Sequence, residues 1–246
     1  MNALTVQDVD VVGGPRALGT VYVTGGSSGL GAAVAAAVAA GGGTPAVIDR
    51  VPPPATSGAG VAHAVADLAD SAAAAEAVRV LVDSVGPPTA VVTAAGTDAC
   101  GPLSGVDAET WERVVRVNLF GTVAVIRACL PHLERSRGTV VTVASTLGLK
   151  AVGDATAYCA SKFGVVGFTR ALAVELAGRV GVTLLIPGGM RTAFFDGRTE
   201  QYRPGPDADL NDPANVAAAV VAALRQPVGC EIRELVVASS TEPSWP

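Results

Sequence analysis

The chain has 246 residues, 50% of them hydrophobic and 16% charged, and a formal net charge of −5. That length fits one large α/β domain, and the apolar share is ample for a buried core. An acidic chain without a basic run argues against nucleic acid as a principal partner, and the lack of a leader or of any stretch approaching 18 strongly apolar residues points to a cytoplasmic protein outside the membrane.

Residues 1–16 form an N-terminal arm in which Val9 to Pro15 reads as a short edge strand or as unordered chain, and residues 17–246 form the domain proper. The first strong strand, Leu18 to Thr24, runs into Gly25-Gly26-Ser27-Ser28-Gly29-Leu30-Gly31, and a helix begins near Leu30. Glycines permit a tight turn and close backbone approach, while a helix N-terminus directs N–H groups at an anion. Gly25, Ser27, Ser28, Gly29, Leu30 and Gly31 are therefore expected around a dinucleotide pyrophosphate.

A second strand, Thr44 to Asp49, ends eighteen residues beyond Gly31 on an acid able to accept ribose hydroxyls and to repel a 2′-phosphate. Asp49 also fits a plain solvated strand end, and the neighbouring Arg50 is suited to binding that phosphate. After the Pro/Gly loop Val51 to Gly60, strands follow at Ala90 to Thr93, Thr139 to Ala144, Val182 to Ile186 and Glu234 to Ala238, with helix-length segments between them. Near-continuous Val/Ala/Leu strands alternating with helices predict a doubly wound parallel sheet covered on both faces, a Rossmann fold.

The most telling residues lie beyond the strand at Thr139. Only Lys150 and Lys162 are lysine among 17 Lys+Arg residues, and Lys162 falls four positions after Tyr158 on a predicted helix face. A phenol titrates near pH ~10, and one ammonium at ~4 Å and effective dielectric ~20 supplies about the 4 kcal/mol needed to bring it near neutrality. Tyr158 can then act as general acid or base, with the Ser145 hydroxyl, thirteen residues earlier, hydrogen-bonded to the reacting oxygen. Taken alone, the Tyr158 and Lys162 pair also fits an amphipathic pair on a helix surface. Thr192 to Pro213, rich in Gly, Pro and Asp, leaves the carboxyl end of a strand and reads as a lid carrying Phe194, Phe195 and Tyr202. The four cysteines are spaced as free thiols, and His63 and His132 suggest no metal site.

With these pieces placed, the chain resembles the short-chain dehydrogenase/reductase family, in its single-domain branch of about 250 residues, over roughly Ala17 to Ala238. The T-G-x-x-x-G-x-G motif appears as Thr24, Gly25, Gly29 and Gly31; Asp67-Leu68 matches the pair that flanks the adenine in the family. Asn118, Ser145, Tyr158 and Lys162 match its catalytic set, and Pro187-Gly188-Gly189-Met190-Arg191-Thr192 its P-G-x-x-x-T segment, which holds the nicotinamide carboxamide. Where the family often has N-N-A-G, this chain has Thr93-Ala94-Ala95-Gly96, so two side-chain amides are lost while the Ala94, Ala95 and Gly96 backbone still lines the cofactor.

The resemblance implies an oxidoreductase that passes a hydride between NAD, with NADP as the alternative, and a secondary alcohol or ketone. It implies that Lys162 also binds the nicotinamide ribose and that Asn118 helps hold a proton-relay water. A homotetramer is implied too, built on the helices from Ala108 to Leu133 and Ala157 to Ala177. Two other activities stay open: an NADPH-dependent reductase of 3-oxoacyl thioesters, and a non-catalytic NAD(P)-binding regulator.

Overall fold

The computed structural model describes residues 14–54 and 61–245. Residues 1–13 of the arm and 55–60 of the loop after the second strand lie outside them. Seven strands form one parallel sheet: β1 (Thr20–Thr24), β2 (Thr44–Asp49), β3 (Ala62–Val65), β4 (Ala90–Thr93), β5 (Thr139–Val143), β6 (Gly181–Pro187) and β7 (Glu234–Val237), in the spatial order β3-β2-β1-β4-β5-β6-β7. The third is an addition to the six strands read from the sequence. Ala62-His63-Ala64-Val65 is only four residues long and leaves His63 and Val65 in solvent, so it lacks the continuous apolar run of a central strand.

Successive side chains of β1 point to opposite faces and enter two cores. Tyr22 packs with Ile48 and Val91 beneath α2 (Ser71–Val85), α4 (Thr122–Ser136) and α5 (Thr156–Glu175), whereas Val21 and Val23 pack with Val92 and Leu185 beneath α1 (Gly29–Ala40) and α6 (Pro213–Leu224). The order of strands reverses at β1, which pairs with β2 on one side and, through Val21 to Thr24, with β4 on the other. That switch point leaves a crevice at the carboxyl ends of the strands, the position where α/β sheets bind ligands.

The segment before β5 departs from a plain α-helix. α3 (Ala108–Val115) passes through a π-helical turn, Arg116–Gly121, into α4. The combined run Ala108–Ser136 corrects the expectation about apolar stretches: it holds an 18-residue window of mean hydropathy 1.5, long and apolar enough by composition to cross a membrane. Part of its apolar surface belongs to the core, since Val114, Val125, Ile126, Cys129 and Leu133 are all buried.

Candidate active site

A cleft of about 1350 Å³ opens along the carboxyl ends of the strands. At one end lies the glycine turn. Gly25 sits at φ +68°, and a Cβ there would come within 2.8 Å of the Ala95 backbone; a Cβ on Gly31 would come within 2.2 Å of the Gly25 carbonyl oxygen. Both positions exclude a side chain by contact, which brings bare backbone to the cleft. Helices α2, α3 and α6 start on aspartates, Asp70, Asp107 and Asp212, that accept their first N–H groups. Ser28 makes no such bond at the start of α1, so those donors face the cleft unclaimed by a side chain. An uncapped N-terminus behind a glycine turn fits a pyrophosphate.

Asp49 closes β2 beside this turn. One carboxylate oxygen accepts the Ser27 N–H at 2.9 Å and the other the Val51 N–H at 3.4 Å, while Ser27 Oγ donates to the Val51 carbonyl at 2.7 Å. Ser27 therefore fixes the carboxylate and does not itself line the cleft, whereas Gly25, Ser28, Gly29, Leu30, Gly31, Asp49 and Arg50 do. A carboxylate has about four acceptor sites, so Asp49 keeps capacity for ribose hydroxyls. Asp67 is committed further: it pairs with Arg113 at 2.7 Å and accepts the Ala69 N–H, and its pKa is lowered first by that backbone bond and then by the arginine. Leu68 lies next to it, packed so tightly that a Cβ on Gly121 would come within 2.6 Å of its carbonyl oxygen.

The loop after β4 carries Ala94, Ala95 and Gly96 along the cleft. The Ala95 N–H donates to Thr24 Oγ1 at 3.1 Å, joining the loop to β1. Thr93 Oγ1, at the first position of the altered N-N-A-G, is buried with no hydrogen-bond partner, as expected where an amide network has been lost.

At the middle of the cleft, Ser145 ends the loop after β5, and Tyr158 and Lys162 project from the first turns of α5. The Lys162 ammonium is 4% exposed, donates to the Val143 carbonyl at 2.9 Å and lies 5.6 Å from the Tyr158 ring centroid. Burial lowers the Lys162 pKa to about 8, a direction that Asp98 opposes. Partial burial likewise raises the Tyr158 pKa, against the pull of the neighbouring Ser145 hydroxyl, which itself accepts the Leu147 N–H at 3.1 Å. A phenol beside a hydroxyl and an ammonium can serve as a proton donor, the role expected of Tyr158 from the sequence.

Asn118 sits behind this group. Its Oδ1 accepts the Thr97 N–H at 2.8 Å and its Nδ2 donates to the Thr97 carbonyl and to Ser161 Oγ, each at 2.9 Å. Ser161 in turn donates to the Tyr158 carbonyl at 2.8 Å. Asn118 therefore braces the β4 loop against the helix that carries Tyr158, and its amide does not line the cleft.

Pro187, Gly188, Met190 and Thr192 form the far wall. The base of the predicted lid is tied together there, because the Arg191 N–H donates to the Asn211 carbonyl and the Asn211 N–H to the Gly189 carbonyl, both at 2.9 Å. Thr192 caps a 3-10 turn, Ala193–Phe195, that presents Phe194 to Tyr158 at 5.8 Å between ring centroids. Two features escaped the sequence reading. Asp98 pairs with Arg198 of the lid at 2.5 Å. Glu242, on the tail after β7, accepts the Gly189 N–H at 2.7 Å and lines the same cleft. Only the small, loop-like setting of each acid marked it in the sequence, and nothing there linked positions 98 and 198. Among the described residues no group of three potential ligands could hold a metal.

Comparison with known proteins bears on the family and the fold. The family model described as short chain dehydrogenase matches residues 19–203. The 2-(S)-hydroxypropyl-CoM dehydrogenase 3 of Xanthobacter autotrophicus is 34% identical over 178 residues, which cover 68% of this chain and 70% of that protein. The (2S)-[(R)-hydroxy(phenyl)methyl]succinyl-CoA dehydrogenase subunit BbsD of Thauera aromatica is 34% identical over 165 residues, covering 64% of this chain and 66% of that one. An alcohol dehydrogenase from Thermococcus sibiricus, solved with 5-hydroxy-NADP, shares the fold with a TM-score of 0.77 at 23% identity, over 89% of this chain and 95% of that one.

Proposed function

The chain belongs to the short-chain dehydrogenase family and is an NAD(P)-dependent oxidoreductase of alcohols and ketones; within that class we propose that it reduces a moderately apolar ketone with NADH, Tyr158 being the proton donor. The observation that carries this reading is geometric: Ser145, Tyr158 and Lys162 line the same cleft, with the Lys162 ammonium 5.6 Å from the Tyr158 ring centroid. Bound at the turn, Asp49 and the far wall, the nicotinamide nucleotide supplies the hydride. Ser145 donates a hydrogen bond to the substrate carbonyl oxygen. Tyr158 gives that oxygen its proton and is left as phenolate, which the nearby ammonium of Lys162 favours before a solvent proton restores the phenol. In the oxidation direction the phenolate takes the proton instead.

The NADH preference rests on Asp49. A 2′-phosphate at ~4 Å from its carboxylate and effective dielectric ~20 meets a repulsion on the order of 4 kcal/mol, which the adjoining Arg50 offsets in part. Phe194 and Phe195 support an apolar substrate by walling the cleft above Tyr158. A panel of ketones, alcohols and acyl thioesters, assayed with both nucleotides at the reduced-nicotinamide band, tests the reading. Turnover with NADH on ketones and its loss from Tyr158→Phe are expected. Tighter NADPH binding by calorimetry would make Arg50 the determinant, and turnover confined to 3-oxoacyl thioesters would replace the substrate assignment.

A further inference from the structure

Asp98 and Arg198 stand one hundred positions apart, on the loop after β4 and on the lid, yet they meet within the cleft. Their side chains are 6% and 18% exposed, and their 2.5 Å contact is the least exposed ion pair among the described residues. Removing two charges from water is costly unless each is fully partnered. Asp98 is partnered on both oxygens, by the Ala99 N–H at 2.7 Å and by Arg198 and the Cys100 thiol. Arg198 also donates to the Tyr202 carbonyl at 3.2 Å while its Nε is buried without a partner, and its guanidinium carbon lies 5.3 Å and 4.6 Å from the ring centroids of Phe194 and Phe195. Phe194 is the ring that meets Tyr158. An unbroken chain of contacts thus runs from Asp98 through Arg198 and Phe194 to the proton donor.

Building on the proposed role of Tyr158, we infer that Asp98 and Arg198 are a positioning pair for the reaction: Asp98 holds Arg198, and Arg198 seats Phe194 over Tyr158, closing the lid on the proton donor with two charges that offset each other. A surface pair at this distance would be worth little, because water would screen it and either partner could be lost with small effect. Inside the cleft each charge is felt by its neighbours. The charged groups that bear on Tyr158 are Asp98 from the β4 loop, Arg198 from the lid and Lys162 of its own helix, and the Cys159 thiol is the other titratable group beside it. Asp98 raises the tyrosine pKa and Arg198 lowers it, so the intact pair leaves the phenol close to the value set by burial. Removing one member exposes the other charge.

The opposite signs provide the test. In alcohol oxidation the rising limb of kcat/KM against pH reports formation of the phenolate. Asp98→Asn should move that limb to lower pH and Arg198→Met to higher pH, each by on the order of one unit for a charge at ~7–10 Å in a partly screened site. The double variant Asp98→Asn/Arg198→Met should return close to the wild-type profile. Arg198→Lys retains the charge but not the planar fork, so it should leave the limb in place while loosening the lid. Amide hydrogen exchange across residues 193–203 should quicken in all the single variants. Shifts of the same sign in Asp98→Asn and Arg198→Met, or no shift in either, would overturn the pair's role. So would lid exchange that quickens no more than that of the core strands in the same variant, a readout that needs no turnover and separates a loosened lid from a poorly folded protein. Absence of wild-type turnover on every substrate and nucleotide would instead overturn the functional reading.

Discussion

Lys162 is a buried ammonium in a protein whose other positive charges are arginines and the exposed Lys150, and this has a thermodynamic signature. Its folded pKa of about 8 lies below the ordinary 10.5, so between those values the unfolded chain binds a proton that the folded chain does not. Stability contributed through this group therefore rises with pH across that window, and the full cost of charging it, about 3 kcal/mol, is present below pH 8. Lys162→Met should lose turnover and yet unfold at a higher temperature than the wild type at pH 7. The gain is reduced by about 1 kcal/mol for the lost bond to Val143, and thermal melts at pH 7 and pH 10 should show it shrinking as pH rises. Tyr158→Phe isolates the chemistry: turnover should fall at least ~10²-fold with nucleotide affinity retained, as separate kinetic and calorimetric titrations would show. Helical spacing put Tyr158 and Lys162 on one face, and the strand before Ser145 put that residue at the carboxyl end of the sheet. The contact of Tyr158 with Phe194 was not legible in that way, since the lid is distant in sequence from residue 158.

At the scale of elements, the turn between β1 and α1 is the part most completely determined by local sequence. Its glycines, the strand before them and the helix after them lie within a short run of chain, and contact forbids a side chain at Gly31 outright. Gly31→Ala must displace the Gly25 carbonyl, because a Cβ there would lie at 2.2 Å. We expect a loss of stability of about 1–3 kcal/mol and a fall in nucleotide affinity of more than tenfold, measured by denaturant unfolding and by calorimetry. Elements that depend on their neighbours were harder to read. β3 is a short strand at the sheet edge whose pairing with β2 replaces any strong apolar signal of its own. The π turn holding Asn118 is likewise set by packing: Gly121 closes on Leu68, and Gly164 of α5 leaves so little room that a Cβ would reach Leu119 at 2.8 Å. The lid's length and its aromatic residues were visible in sequence, but not the ion pair that fixes it.

Viewed whole, the molecule buries both faces of its sheet and still leaves apolar surface on one outer helical layer. On the two helices that the resemblance pairs in a tetramer, Val114 and Val125 turn into the core, while Phe120 and Phe163 remain 53% and 43% exposed. Val174, at 78% exposure, continues the stripe along α5 from Phe163 through Gly167, since residues at intervals of four, seven and eleven share a helix face. Large apolar groups repeated along one face of adjoining helices mark an association surface more often than isolated exposed residues do. We propose that two copies pair through this layer, and further pairing of such dimers would give the tetramer that the family resemblance implies. A stable contact of this kind needs roughly 800 Å² from each partner, and a helix as long as α5 laid against its own copy, with the π turn beside it, offers a surface of that order. Light scattering at micromolar concentration should then give two or four times the mass of one chain. Phe120→Asp/Phe163→Asp places like charges on a self-complementary face, so it should yield a folded monomer with the wild-type circular dichroism spectrum. A wild-type monomer, or an unchanged mass for the double variant, would remove this surface from the assembly.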